Sequence, residues 1–78
     1  MKLKDLKREL DTMRSEDKID SYFLKRISMD KYELEVHHNI NGILFCVLID
    51  FDYEFFDVEY EIKRLKELMI KNYIEYLK

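Results

Sequence analysis

The chain has one glycine, one cysteine and no proline, tryptophan, alanine or glutamine among its 78 residues. One glycine cannot build a Gly-rich phosphate-binding loop. One cysteine cannot form a disulfide within the chain, and no CxxC or HxxxH spacing advertises a metal. A solitary cysteine fits a reducing compartment, and no serine sits in a nucleophile elbow. The longest apolar run, ILFCVLI at 43–49, is far short of the ~20 residues that span a membrane. The opening MKLKDLKREL is charged throughout and lacks the apolar core of a secretion signal. A cytoplasmic protein without membrane contact is expected. The missing residue types, beside abundant Lys, Ile, Tyr and Glu, match AT-rich coding.

A chain of 78 residues makes one domain, 1–78. It buries only about 60% of its unfolded surface, so its stability needs support. Disulfides are excluded and a metal is unadvertised, which leaves a second subunit. A homo-oligomer, in its simplest form a dimer, is therefore expected.

Charge is unevenly placed, and this matters more than the net of −3. Residues 1–31 carry nine basic and seven acidic side chains, and residues 63–78 carry five and two. Between them, residues 32–62 carry eight acidic side chains and no Lys or Arg. Such asymmetry speaks about partners rather than fold.

Leu3, Leu6, Leu10 and Met13 recur at helical spacing and predict an amphipathic helix over 2–14. SYFLKRIS at 21–28 is a modestly patterned strand. YELEVHHNI at 32–40 alternates cleanly, and Asn41-Gly42 then supplies the strongest short hairpin signal, because both central residues of a type I′ turn need positive φ. A two-residue turn places Ile40 opposite Ile43, His38 opposite Phe45, Val36 opposite Val47, Leu34 opposite Ile49 and Tyr32 opposite Phe51. All lie on one face, and a shift of two residues would keep them there. Asp57 is a plausible N-cap, with Glu59 and Glu61 suited to a helix N-terminus. Val58, Ile62, Leu65, Met69, Tyr73 and Tyr76 then mark a helical face, widened by Leu68, Ile70, Ile74 and Leu77, in a helix over 58–77. The expected architecture is α+β, in the order α-β-β-β-α: a three-stranded antiparallel meander between an N-terminal helix and a long C-terminal helix.

The stretch LIDFDYEFFDVEYE at 48–61 is the chemical centre of interest. If the third strand runs on past Ile49, Phe51, Tyr53 and Phe55 keep the core parity. Asp50, Asp52 and Glu54 then form an outward row spaced about 6.5–7 Å along the strand. That is too far for neighbours to share one cation without help, so no metal site is expected there. Glu33 would lie across from Asp50, where like charges repel. The outer face of the third strand also carries Leu44, Cys46 and Leu48. A small exposed apolar strip of this kind marks an interface.

His37 and His38 are adjacent and point to opposite faces, so they cannot chelate together. His38 should be a packed, hydrogen-bonded histidine of the core face. His37 faces outward opposite Cys46, with Glu35 near enough to orient it. That is the outline of a nucleophilic dyad, although a lone cysteine in an apolar strand is usually inert. EIK at 61–63 has the residue types that end a nuclease metal motif, but it falls on a helix and is common by chance. The eleven Tyr and Phe residues mostly sit at core parity. An acidic sheet repels phosphate, so direct nucleic-acid binding is disfavoured. Lys2, Lys4, Lys7, Arg8 and Arg14 on the first helix are interleaved with Asp5, Glu9 and Asp11, as on a solvated face.

These observations predict a small acidic, non-enzymatic interaction protein without cofactor. Its expected partner is a protein, in the most concrete version a nucleic-acid-binding enzyme such as a host defence nuclease, inhibited by a phage or mobile-element product. Glu33, Glu35, Asp50, Asp52, Glu54 and Asp57 would contact the partner. Leu44, Cys46, Leu48, Leu65, Met69 and Tyr73 would form apolar interfaces. The alternatives are an oligomeric or antitoxin-like subunit held through its C-terminal helix, and a small metal-dependent or Cys–His enzyme.

Overall fold

A computed structural model describes residues 2–78. Helix α1 spans Lys2–Ser15, strands β1, β2 and β3 span Ser21–Arg26, Lys31–Ile40 and Ile43–Asp52, and helix α2 spans Val58–Leu77. The strands form one antiparallel sheet in the order β1-β2-β3, so the chain is the expected α-β-β-β-α meander of the α+β class.

The hairpin register is the one the Asn41-Gly42 turn demands. Asn41 and Gly42 have φ of 54° and 85°, and Ile40 pairs with Ile43, Val36 with Val47, Leu34 with Ile49 and Tyr32 with Phe51. The Asn39 side-chain carbonyl accepts from the Gly42 amide at 2.9 Å and fixes the turn from below. Leu34, Val36, Val47, Ile49 and Phe51 are buried together with Leu6, Leu10 and Met13 of α1 and Ile62 and Leu65 of α2. Both helices therefore cover this one face. Ile19, in the connection before β1, and Phe56, in the loop before α2, close the ends of the core.

Helix α1 ends on a left-handed residue, Asp17 at φ 61°. The turn is closed by the Lys18 amide donating to the Met13 carbonyl at 2.8 Å, a hydrogen-bonded C-terminal turn in which glycine usually takes the left-handed place. Asp11 of α1 accepts from the Tyr22 hydroxyl at 2.7 Å, which ties the helix to β1. Helix α2 starts as expected: the Asp57 carboxylate accepts from the Glu59 and Tyr60 amides.

Edge strands expose unpaired backbone groups, and proteins cover them to prevent unwanted pairing. Helix α2 does this for β3. Arg64 donates to the Asp50 carbonyl at 2.6 Å and Asn72 donates to the Cys46 carbonyl at 3.4 Å. Further along, Phe45 meets the rings of Tyr73 and Tyr76 edge-on.

Several expectations need correction. Strand β3 stops at Asp52, because the Asp52 carboxylate accepts from the Glu54 and Phe55 amides and turns the chain. The parity beyond it is lost: Phe55 is 81% exposed, whereas Phe56 is buried. Glu54 therefore does not extend the acidic row. Leu65 is fully buried in the core and cannot serve an interface. Met69 is half-buried against that core, and Tyr73 is half-buried with its ring against Phe45. The large apolar and aromatic residues that α2 leaves exposed are Tyr60 near its start and Ile70, Ile74, Tyr76 and Leu77 toward its end. The hydrogen bond expected of His38 is missing at Nδ1, which is buried without a partner and lies 4.0 Å from Asp20 Oδ2.

Candidate functional site: the open face of the sheet

Alternation along the strands sends every second side chain to the face that the helices do not cover. Register then builds rows across it. Phe23, Glu35 and Leu48 form one row; Ser21, His37 and Cys46 form the next; Lys25, Glu33 and Asp50 form a third; Asn39 and Leu44 close the end. Phe23 and Leu44 are each 59% exposed and Leu48 is 55% exposed. The expected Leu44–Cys46–Leu48 strip is thus present on the open face and is enlarged by Phe23. No pattern in the first strand pointed to Phe23, because no turn signal set the β1–β2 register.

The carboxylates divide into two groups. Asp52 and Asp57 are spent on local structure, one capping the turn after β3 and the other capping α2. Glu33, Glu35 and Asp50 stand on the open face. Glu33 and Asp50 are directly opposite each other, as expected. Lys25 of β1 lies 3.7 Å from Glu33 and offsets the repulsion.

One cluster stands out by chemistry. Glu35 Oε2 and His37 Nε2 are 2.5 Å apart. Cys46 pairs across the strands with His37. One donor atom from each of Glu35, His37 and Cys46 lies within 4.8 Å of the other two. The Phe23 ring meets His37 edge-on, with centroids 5.7 Å apart and planes at 81°. Although the Cys46 residue is exposed, partial desolvation pushes its thiol up from the ordinary value, and the Glu35 charge pushes it further. Both effects oppose thiolate formation, which works against a Cys–His nucleophile.

A carboxylate with a perturbed pKa lies elsewhere. Glu61 is buried at 6% exposure, and burial raises its carboxyl above the ordinary range, opposed by Arg64 and reinforced by Asp57. Arg64 Nη2 stands 3.1 Å from Glu61 Oε1, close enough for charge attraction but not aligned as a hydrogen bond. Through Arg64 this pair joins α2 to the edge of β3.

None of the protein families, curated proteins or solved structures compared with this chain matches it. Among the described residues, no helix is long and apolar enough to cross a membrane.

Proposed function

We propose that the chain is a non-enzymatic protein-binding module whose open sheet face docks a protein partner. The observation that carries this reading is the exposure of Phe23, Leu44 and Leu48 on the one sheet face that neither helix covers. Apolar contacts in the middle of an interface supply affinity, and a charged surround sets orientation and encounter rate. Glu33, Glu35 and Asp50 flank the apolar residues; Lys25 stands beside Glu33, and Lys31, paired with Asp52, lies at the end of the same face. The complementary partner surface is apolar at its centre and basic at its margin. The rim of a nucleic-acid-binding groove has that character, so the inhibitor of such an enzyme is the specific form of this proposal.

The test uses two variants that change only this face. Glu33→Lys with Asp50→Lys reverses the charge, and Leu44→Ser with Leu48→Ser removes apolar contact. A partner captured by the native chain from a bacterial lysate should be lost by both variants while their circular dichroism is unchanged. Capture by the charge-reversed chain should fail even at low salt. A partner retained equally by both variants would refute docking through this face.

A second reading rests on a separate observation. Ile70, Ile74 and Leu77 recur at helical spacing and are all at least half exposed on α2. This strip suits self-association, which would add buried surface to a chain of marginal size.

A further inference from the structure

The acidic residues along β3 are too widely spaced to share an ion, but a different set of donors converges on the same face. Neighbours on adjacent strands sit with Cβ atoms about 4.5–5.5 Å apart, closer than alternate residues along one strand. His37 and Cys46 are such neighbours. Glu35, two residues along from His37, turns its carboxylate back onto the imidazole. The result is one oxygen, one nitrogen and one sulfur donor within 4.8 Å of one another.

We infer that Glu35, His37 and Cys46 form a binding site for one borderline transition-metal dication of the zinc class. Donor chemistry selects this class. Calcium and magnesium take oxygen ligands, whereas thiolate and imidazole together suit zinc and its close analogue cobalt(II). At a tetrahedral zinc the donors stand about 3.3–3.6 Å apart, given metal–ligand distances of ~2.0–2.3 Å. Glu35 and His37 at 2.5 Å must therefore open by about 1 Å, while Cys46 has its donor within 4.8 Å of both. Side-chain torsions on an exposed sheet face supply this movement. The Phe23 ring against His37 restricts the imidazole plane from the β1 side.

On binding, the Cys46 thiol releases its proton to solvent, and the imidazole offers a neutral nitrogen. Two anionic donors then balance the dication. Three protein ligands leave a fourth position, which faces outward because Cys46 lies on the uncovered face. That is an open coordination sphere rather than the closed four-ligand sphere of a structural zinc. The site is complete in a single chain and stands independently of the docking reading.

The test is titration of the tag-free protein with cobalt(II), followed by displacement with zinc. The expected result is one equivalent bound per chain with a near-ultraviolet thiolate-to-cobalt absorption band, bleached by zinc. Cys46 is the only cysteine, so the band identifies its ligand directly. His37→Ala and Glu35→Gln should each weaken binding by about tenfold or more. A measurement on the native chain guards against misfolded variants: zinc should slow alkylation of Cys46 by iodoacetamide. Absence of the band with cobalt in excess, or alkylation at the same rate with and without zinc, would overturn the site. Unchanged affinity in both variants would place the metal elsewhere and overturn it equally.

Discussion

Arg64 links two otherwise separate features: its guanidinium donates to the Asp50 carbonyl at 2.6 Å and stands 3.1 Å from the buried Glu61 carboxylate. One side chain thus covers the edge of β3 and compensates the one buried acid of α2. Removing it would leave Glu61 charged and without compensation, which is the costly way to break a buried pair.

The expected loss on Arg64→Met is about 1–2 kcal/mol at pH 7, discounted because Arg64 is partly exposed. It should depend on pH. The folded-state pKa of Glu61 is raised above its ordinary 4.5. Its contribution to stability is therefore fully present below that value and lost as pH rises through the folded value. Arg64 is the group that lowers the Glu61 pKa, so its removal deepens the loss at neutral pH. Urea unfolding should show the gap between native and variant widest near pH 7 and narrower near pH 4. Glu61→Gln in the variant should remove that pH dependence; a gap independent of pH would show that only the Asp50 hydrogen bond matters.

How much of this arrangement was legible in the sequence depended on where geometry was pinned. Asn41-Gly42 and the alternation of 32–40 fixed the β2–β3 register residue by residue, and with it the open-face neighbours His37 and Cys46. Alternation says which face a side chain takes but not where the strand ends. Strand β3 ends because the Asp52 side chain binds the next amides, and one bend moved Phe56 rather than Phe55 into the core. The apolar stripe of α2 was wider than a three-stranded sheet can cover. Which of its rows is buried is set by packing against α1 and β3, so Leu65 was misplaced as an interface residue. Phe23 and Lys25 were missed because β1 has no turn signal to set its register.

Gly42 and Asp17 hold left-handed backbone for opposite chemical reasons. Gly42 at φ 85° has open space around its α-carbon, so only backbone strain opposes a side chain. Gly42→Ala should cost about 1 kcal/mol. Asp17 at φ 61° occupies the left-handed position after α1 with a residue that does carry a β-carbon. Asp17→Gly should instead stabilise by a few tenths to about 1 kcal/mol. Opposite shifts in thermal midpoint are the expected result, and a loss in both would show that the Asp17 side chain contributes more than its backbone strain costs.

The two interface readings of α2 separate cleanly by position. Leu65 is fully buried, so Leu65→Ala should destabilise the fold by about 3 kcal/mol, a large share of what a chain this short can hold. Its effect should appear as a lower unfolding midpoint. Ile70 and Ile74 are half exposed or more, and Ile70→Lys with Ile74→Lys removes apolar contact without opening the core. Light scattering after size exclusion should find the native chain dimeric and this double variant monomeric, with the helical signal kept. A native chain that is monomeric at high concentration, or a double variant that remains dimeric, would remove α2 as the seam. The open sheet face would then be the surface left for any association the chain makes.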